Sequence, residues 1–147
     1  MSLFSKEADG RIPKGALYDL VRQEFYLSDD YQFIDWVIRE ISPYRDRVAG
    51  FQRCALQAAL AGDEAVKAIY EAAAEELALM IRAIKKRLQF SSESVQVSYS
   101  GGLFNAGELI LNPLRAKAEA LGCSLQKPKR SPLEGALMLA IERFHRR

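Results

Sequence analysis

The chain has 147 residues, of which 49% are hydrophobic and 27% are charged, and its formal net charge is +2. These values are typical of one globular domain, and they give no electrostatic reason to expect a nucleic acid or a membrane surface as partner. No apolar run approaches the roughly 20 residues that span a bilayer, and the first residues lack the apolar stretch of a signal peptide.

The first half of the chain predicts a loop followed by three helices. Residues 1–14 are expected to form the loop, because Asp9-Gly10 is a turn signal and Pro13 lacks a backbone donor. Apolar residues at helical spacing and N-cap residues then predict the helices. Their expected bounds are Ala16 to about Leu27, a segment that follows Ser28-Asp29-Asp30, and Tyr44 to about Ala61, with Gly62 as terminator.

The longest predicted helix runs from Asp63 to about Leu88. Its acidic start and its basic end, Lys85-Lys86-Arg87, both match the sign of the helix dipole. Apolar residues recur every three or four positions along it, which predicts one continuous apolar face. The residues of that face are Val66, Ile69, Ala73, Leu77, Met80, Ile84 and Leu88.

The last third of the chain predicts a strand–helix–strand unit and a final helix. The expected strands are Val95 to Tyr99 and Cys123 to Lys127, and a helix from about Gly107 to Leu121 joins them. Pro113 lies either at the start of that helix or at a kink within it. Strands connected in this way are parallel. The final helix is expected to span 133–144 and to bury Leu133, Leu137, Ala140, Ile141 and Phe144.

The predicted sheet is small for the number of helices. The fold class is therefore α/β and helix-dominated, with about six helices and a small parallel sheet. Parallel sheets are usually covered on both faces, and two strands alone are a poor sheet. Either the helices bury the sheet completely, or further strands come from a missing segment or from a second copy of the chain.

A glycine pair directly after the first predicted strand is the strongest functional signal. In α/β folds the ligand lies beyond the carboxyl ends of the strands, where glycines allow the backbone to approach it closely. A nucleotide is the usual ligand there. The alternative is an ordinary tight turn that needs a positive φ angle. The candidate cofactor-binding residues are Ser100, Gly101, Gly102, Leu103, Phe104 and Asn105.

Other charged residues give weaker signals. Lys127, Lys129 and Arg130 cluster after the second strand, on the same side as the glycine pair, and can attract phosphate. A solvated basic loop is the simpler interpretation. The single histidine, His145, lies among arginines near the C-terminus, where a frayed tail is the simpler interpretation than a general base. The adjacent acidic pairs Asp29-Asp30 and Glu75-Glu76 do not form carboxylate dyads, because neighbours in sequence do not face each other on a helix. No catalytic residue and no metal site are predicted.

The two cysteines, Cys54 and Cys123, are far apart in sequence and lack any C-x-x-C spacing. A zinc site and a disulfide framework are therefore not expected, and both are predicted to be small core residues. The reducing cytoplasm is the simplest location.

Four short motifs follow one another along the chain. They are Gly62-Asp63-Glu64-Ala65-Val66-Lys67-Ala68-Ile69, then Glu75-Glu76-Leu77-Ala78, then Ser98-Tyr99-Ser100-Gly101-Gly102-Leu103-Phe104, and finally Pro128 with Pro132-Leu133-Glu134-Gly135-Ala136-Leu137-Met138-Leu139-Ala140. In this order they resemble the C-terminal part of the actin-like ATPase superfamily. More narrowly, they resemble the family of N-acetylglucosamine kinases and BadF/BadG/BcrA/BcrD-type ATPases.

The resemblance covers about residues 50–144 and implies the C-terminal half of a ribonuclease H-like (actin-like ATPase) domain. The N-terminal helices fit the family's helical insertion more loosely. Residues 1–147 are thus expected to form a single domain, with an insertion-like segment 1–49 and an ATPase subdomain 50–147. An intact family member binds ATP and Mg²⁺, and the stretch from Ser98 to Phe104 is similar to its adenosine motif.

The departures from the family bear on activity. The Asp-Gly-Gly-type phosphate loop, a second glycine-rich phosphate segment and the general-base Asp of the kinases do not occur in this sequence, and phosphoryl transfer depends on such groups. The resemblance thus implies an ATP-binding C-terminal portion of a sugar kinase or ATPase of N-acetylglucosamine kinase type, inactive alone. Its expected partners are a nucleotide and either an N-terminal kinase half or a second copy.

Two alternatives remain from the sequence. One is an ATPase that activates a CoA-ester reductase or dehydratase, although such activators hold an iron–sulfur cluster at a subunit interface and neither cysteine lies in a cluster motif. The other is a non-catalytic helical module that binds a protein partner. Its surface would use the aromatic residues of the first helices: Tyr18, Phe25, Tyr26, Tyr31, Phe33 and Trp36.

Overall fold

The computed structural model describes residues 1–41, 51–90 and 94–145. The chain forms two compact units, Met1–Ala73 and Ala74–Arg147. The predicted segments 1–49 and 50–147 stay a prediction. The described α-helices are α1 (Ser2–Ala8), α2 (Ala16–Glu24), α3 (Tyr31–Trp36), α4 (Gln52–Leu60), α5 (Glu64–Leu88), α6 (Glu108–Ala120) and α7 (Pro132–His145). The strands are β1 (Val95–Ser98) and β2 (Cys123–Gln126), with a π-helical turn at Val37–Ile41 and a 3₁₀ turn at Gly102–Ala106.

The loop predicted for residues 1–14 is wrong for its first part, which is helix α1. The helix forms because Phe4 and Glu7, three residues apart, are both buried. The ring centroid of Phe4 lies 5.5 Å from that of Tyr18 and 4.3 Å from that of Phe33. Burying such a ring contributes roughly 1.5–3 kcal/mol, which outweighs the weak local preferences. The Asp9-Gly10 turn signal acts where α1 ends, and Gly10 has a φ of +80°.

Aromatic side chains form the core of the first unit around helix α3. Phe33 is 2% exposed, and the ring of Trp36 lies 3.8 Å from that of Phe25 between centroids. Phe51, just before α4, is 6.0 Å from Phe33. Of the aromatic residues proposed as a partner surface, Tyr18 and Phe33 are buried and Phe25 and Trp36 are half-buried, whereas Tyr26 and Tyr31 are exposed. In the region of the helix predicted for 44–61, the structure has a helix from Gln52 to Leu60, which ends before Gly62 as predicted. The predicted positions 44–50 lie outside the described residues.

Two carboxylates join the starts of helices α2 and α5. The Gly15 N–H donates to Glu7 Oε1 at 2.7 Å, and the Leu17 N–H donates to Asp63 Oδ2 at 3.0 Å. The other oxygen of Asp63 accepts the Val66 N–H at 3.1 Å. Asp63 thus caps its own helix and also binds a free N–H at the start of α2.

Helix α5 has the predicted length, but its buried face differs from the predicted stripe. Four residues at steps of four are buried: Val66, Tyr70, Ala74 and Ala78. Four members of the predicted stripe are exposed: Ile69, Met80, Ile84 and Leu88. The prediction is confirmed at Val66 and wrong farther along the helix, because the inner face continues through Tyr70 and two alanines, whose small side chains permit close packing.

The second unit contains the parallel sheet that the strand–helix–strand pattern predicts. Strands β1 and β2 pair in register from Val95 with Cys123 to Ser98 with Gln126. Helix α6 packs against β2 and buries its apolar side, formed by Ile110, Leu111, Leu114 and Ala118. Pro113 lies inside α6, so it does not mark the start of that helix. Cys54 and Cys123 are both buried, as predicted.

The inward orientation predicted for the last helix is wrong. Every described residue of α7 is exposed, including Leu133 at 81% and Phe144 at 80%. The residues predicted to be buried were Leu133, Leu137, Ala140, Ile141 and Phe144. The apolar residues of α7 lie on several sides of the helix, a pattern typical of a helix buried in a larger core. The described residues of the chain do not cover α7. None of the described helices combines the length and the apolarity that a bilayer crossing requires.

Candidate functional site

An open cleft of about 650 Å³ lies at the carboxyl ends of both strands. Because β1 and β2 are parallel and in register, the segments that follow them start at the same edge of the sheet. The cleft volume is within the range of small-ligand sites. Its lining residues are Ser98, Tyr99, Ser100, Gly101, Phe104, Asn105, Lys127, Pro128, Arg130, Ser131 and Pro132.

The glycine turn forms one side of this cleft. Gly101 has a φ of +122°, a conformation that side-chain-bearing residues rarely adopt. A Cβ added there would meet nothing within 4 Å, so the requirement for glycine comes from the backbone rather than from crowding. The Phe104 N–H donates to the Gly101 carbonyl at 3.2 Å, which begins the 3₁₀ turn. The backbone at Gly101 is exposed and can be approached by a ligand.

An aromatic pair lies on the same side of the cleft. The ring centroids of Tyr99 and Phe104 are 4.7 Å apart with planes tilted by 40°. Both side chains are half-buried, so part of each apolar ring faces solvent. Such a surface can stack against a planar base.

The structure brings four of the six predicted site residues to the cleft. Ser100, Gly101, Phe104 and Asn105 line it, whereas Gly102 and Leu103 belong to the 3₁₀ turn but not to the lining. A 3₁₀ turn places successive residues on different sides, which explains why the run does not act as one surface. Tyr99 also lines the cleft, although it was not among the six. Lys127 and Arg130 lie on the same side of the sheet as the glycine pair, as predicted from the parallel strands. The prediction missed Ser131 and the two prolines of the same loop, Pro128 and Pro132.

The basic loop after β2 forms the opposite side of the cleft. Lys127 and Arg130 line it, but Lys129 does not. The loop ends in a capping box, in which Ser131 Oγ accepts the Glu134 N–H at 3.3 Å and Glu134 Oε2 accepts the Ser131 N–H at 2.7 Å. These bonds from the Ser131 backbone and hydroxyl lower the pKa of Glu134. The start of α7 is thereby fixed beside the cleft.

The remaining candidates lie elsewhere. His145 is exposed, and its Nδ1 is 2.9 Å from the Ile141 carbonyl of the same helix. Lys85 Nζ donates to the Leu121 carbonyl at 2.5 Å, which gives this lysine a structural role. Among the residues that the structure describes, no group of histidine, cysteine and acidic side chains is arranged to hold a metal ion.

Comparison with protein families supplies the identity of the fold. Residues 1–140 match the BadF/BadG/BcrA/BcrD ATPase family. The chain belongs to that family. The match covers both the N-terminal helices and the cleft, and the small parallel sheet among helices is consistent with part of an actin-like ATPase fold. A search of curated proteins found no match to this ATPase-family chain.

Proposed function

We propose that the cleft binds the adenosine part of ATP and forms one wall of an ATPase site. The observation that carries this proposal is the glycine turn, which opens at the carboxyl edge of two parallel strands in a chain of an ATPase family. A ligand at this edge can approach the backbone at Gly101 and stack on the pair formed by Tyr99 and Phe104. The cleft volume is sufficient for a nucleotide of ordinary size.

The lining chemistry suits the nucleotide better than its metal ion. Rings and an exposed glycine turn fit a base and a ribose, and no aspartate or glutamate is among the lining residues of the described chain. Mg²⁺ takes carboxylate and phosphate oxygens, so any bound Mg²⁺ would depend on the phosphates and on groups from another segment. The chain alone is therefore proposed to bind nucleotide without turning it over.

The cleft is proposed to form one wall of the ATPase site, and a partner is proposed to supply the wall that faces the cleft. The two-stranded sheet and the exposed apolar helix α7 are the features that support it, because both are typical of structure buried in a larger fold. The partner is either an N-terminal kinase half or a second copy of the chain. Light scattering distinguishes these, since only the second copy gives a dimer mass for the chain alone.

Within the family, the proposed type is a sugar kinase similar to N-acetylglucosamine kinase. The alternative, an activator of a CoA-ester reductase or dehydratase, requires cysteines that can reach an iron–sulfur cluster at a subunit interface. Cys54 and Cys123 are each 3% exposed, and burial raises the pKa of Cys54, which disfavours the thiolate that ligates iron. Two free thiols also favour a reducing cytoplasm as the location.

Isothermal titration calorimetry with ATP and Mg²⁺ tests the proposed site. Ser100→Asp places a negative charge in the cleft, where it repels phosphate, and is expected to weaken ATP binding about tenfold. Ser94→Asp is the matched control, because Ser94 is also exposed but precedes β1, at the opposite end of the strand. Absence of heat from the wild-type chain at millimolar ATP would contradict the proposal and favour the helical interaction module. A radiolabel assay with N-acetylglucosamine is expected to show no transfer by the chain alone.

A further inference from the structure

The two sides of the cleft differ in chemistry. Aromatic rings and the glycine turn follow β1, whereas cations and a rigid proline segment follow β2. The structure also separates three basic residues that the sequence alone presents as one cluster. Lys127 and Arg130 face the cleft, and Lys129 between them does not.

Neither cleft-lining cation is neutralised by the described part of the chain. Lys127 and Arg130 are exposed, and no ion pair with a described carboxylate involves either of them. The nearest acidic residue along the loop, Glu134, is bound to Ser131 in the capping box. Two positive groups thus share one cleft with an aromatic surface, and no carboxylate among residues 1–41, 51–90 and 94–145 forms an ion pair with them.

This combination selects a class of ligand. The ligand needs a flat apolar body for the rings and an anionic group for the cations. Arg binds phosphate through two parallel donors, and Lys binds it as a point charge. A nucleoside diphosphate or triphosphate has both parts within one small molecule.

Resting on the proposed function, we infer that Lys127 and Arg130 bind the phosphates of the nucleotide whose base lies against Tyr99 and Phe104. The loop after β2 then sets the direction of the nucleotide in the cleft. It also makes the site selective for phosphorylated nucleosides over free nucleosides. Lys129 takes no part in this selection.

Calorimetric titration of the full chain with adenosine, ADP and inorganic pyrophosphate tests the assignment. The wild-type chain is expected to bind ADP more tightly than adenosine. Lys127→Met and Arg130→Met are each expected to weaken ADP binding about tenfold, because each removes one charge-assisted contact. Adenosine affinity is expected to change less than about twofold in either variant, because neither substitution removes a contact between the base and the rings of Tyr99 and Phe104.

Lys129→Met is the matched control, because it removes the same charge from the same exposed loop without changing the cleft lining. It is expected to leave ADP affinity within about twofold of wild type. Circular dichroism of each variant verifies that helix content is unchanged. Equal weakening by Lys129→Met and Lys127→Met would overturn the assignment, because the effect would then be one of general loop charge.

The outcomes separate this inference from the proposed function. If ADP binds wild type and the Lys127/Arg130 double variant equally, the nucleotide site stands and the phosphate assignment is wrong. If no adenine compound binds but pyrophosphate binds only when both cations are present, the proposed function fails and the anion site stands. If neither ADP nor pyrophosphate binds, both are wrong.

Discussion

The junction of Gly15 with Asp63 and Glu7 gives the sharpest structural prediction. Replacing Gly15 by alanine adds a Cβ that overlaps Asp63 Oδ2 and lies 3.0 Å from both Asp63 Cγ and Glu7 Oε1. These atoms belong to carboxylates that bind the first N–H groups of α2. The methyl group therefore displaces side chains that hold two helix starts together.

Two opposing effects set the size of the change. The φ of Gly15 is −104°, which alanine adopts readily, so reduced freedom of the unfolded chain stabilises the variant by about 0.4–1 kcal/mol. Overpacking costs about 1–3 kcal/mol, and each weakened cap costs about 1 kcal/mol. The steric effect is larger, so the free energy of unfolding is expected to fall by about 2–3 kcal/mol.

Urea unfolding followed by tryptophan fluorescence measures this loss. Trp36 is the only tryptophan in the chain, and its ring packs against Phe25 in the same unit. With a slope on the order of 1–3 kcal/mol per molar urea, the midpoint is expected to fall by about 1 M or more. Gly135→Ala is the control, because its Cβ meets nothing within 4 Å. It lies in the other unit and is expected to leave the Trp36 midpoint unchanged.

A double-mutant cycle identifies the cause. If the Asp63 side chain is the obstacle, Gly15→Ala should lower the free energy of unfolding less in an Asp63→Ala background than in the wild type. A Gly15→Ala variant as stable as wild type would refute the steric reasoning. Strict additivity with Asp63→Ala would refute the role assigned to Asp63.

Two further stability predictions follow from the same structure. Burial raises the pKa of Glu7, with a further contribution from the charge of Asp63, and these outweigh the opposing effect of the Gly15 N–H bond. The folded state therefore holds the Glu7 proton more tightly, so the free energy of unfolding declines as pH rises from the ordinary glutamate pKa through the raised pKa. Glu7→Gln is expected to flatten that decline and to raise the urea midpoint at pH 7. A pH profile of stability that Glu7→Gln leaves unchanged would contradict this role of Glu7. Lys85→Met removes the donor to the Leu121 carbonyl and is expected to lower the free energy of unfolding by about 1–2 kcal/mol, measured by thermal unfolding followed by circular dichroism. Lys86→Met, at an exposed neighbouring lysine, is the control. Equal losses of stability in both variants would contradict the structural role of Lys85.

Local signals predicted much of the second unit. Alternating apolar residues identify both strands, and the helix between them fixes their parallel direction, so the location of the cleft at Gly101 follows from sequence. The division of the basic loop does not follow, because adjacent residues Lys129 and Arg130 differ only in the direction that the folded loop gives them. Strand pairing, rather than sequence distance, brings Tyr99 and Lys127 to one cleft.

Tertiary packing decided the features that were predicted incorrectly. Helix α1 forms around Phe4, whose partners Tyr18 and Phe33 lie far along the chain. The inner face of α5 continues from Tyr70 through Ala74 and Ala78, whereas the larger Met80 and Ile84 are exposed. For α7, periodicity identifies the helix and its apolar residues. It carries no information on whether other segments of the same chain pack over those residues.

A ¹⁵N–¹H NMR titration with ADP tests the central claim most directly, because it locates the ligand residue by residue. Saturable amide shifts are expected in 98–105 and 127–131, on both sides of the cleft at the ends of β1 and β2. Amides of α1 and α2 should remain unchanged. Shifts confined to other segments, or no shifts at millimolar ADP, would contradict a nucleotide site at the glycine turn.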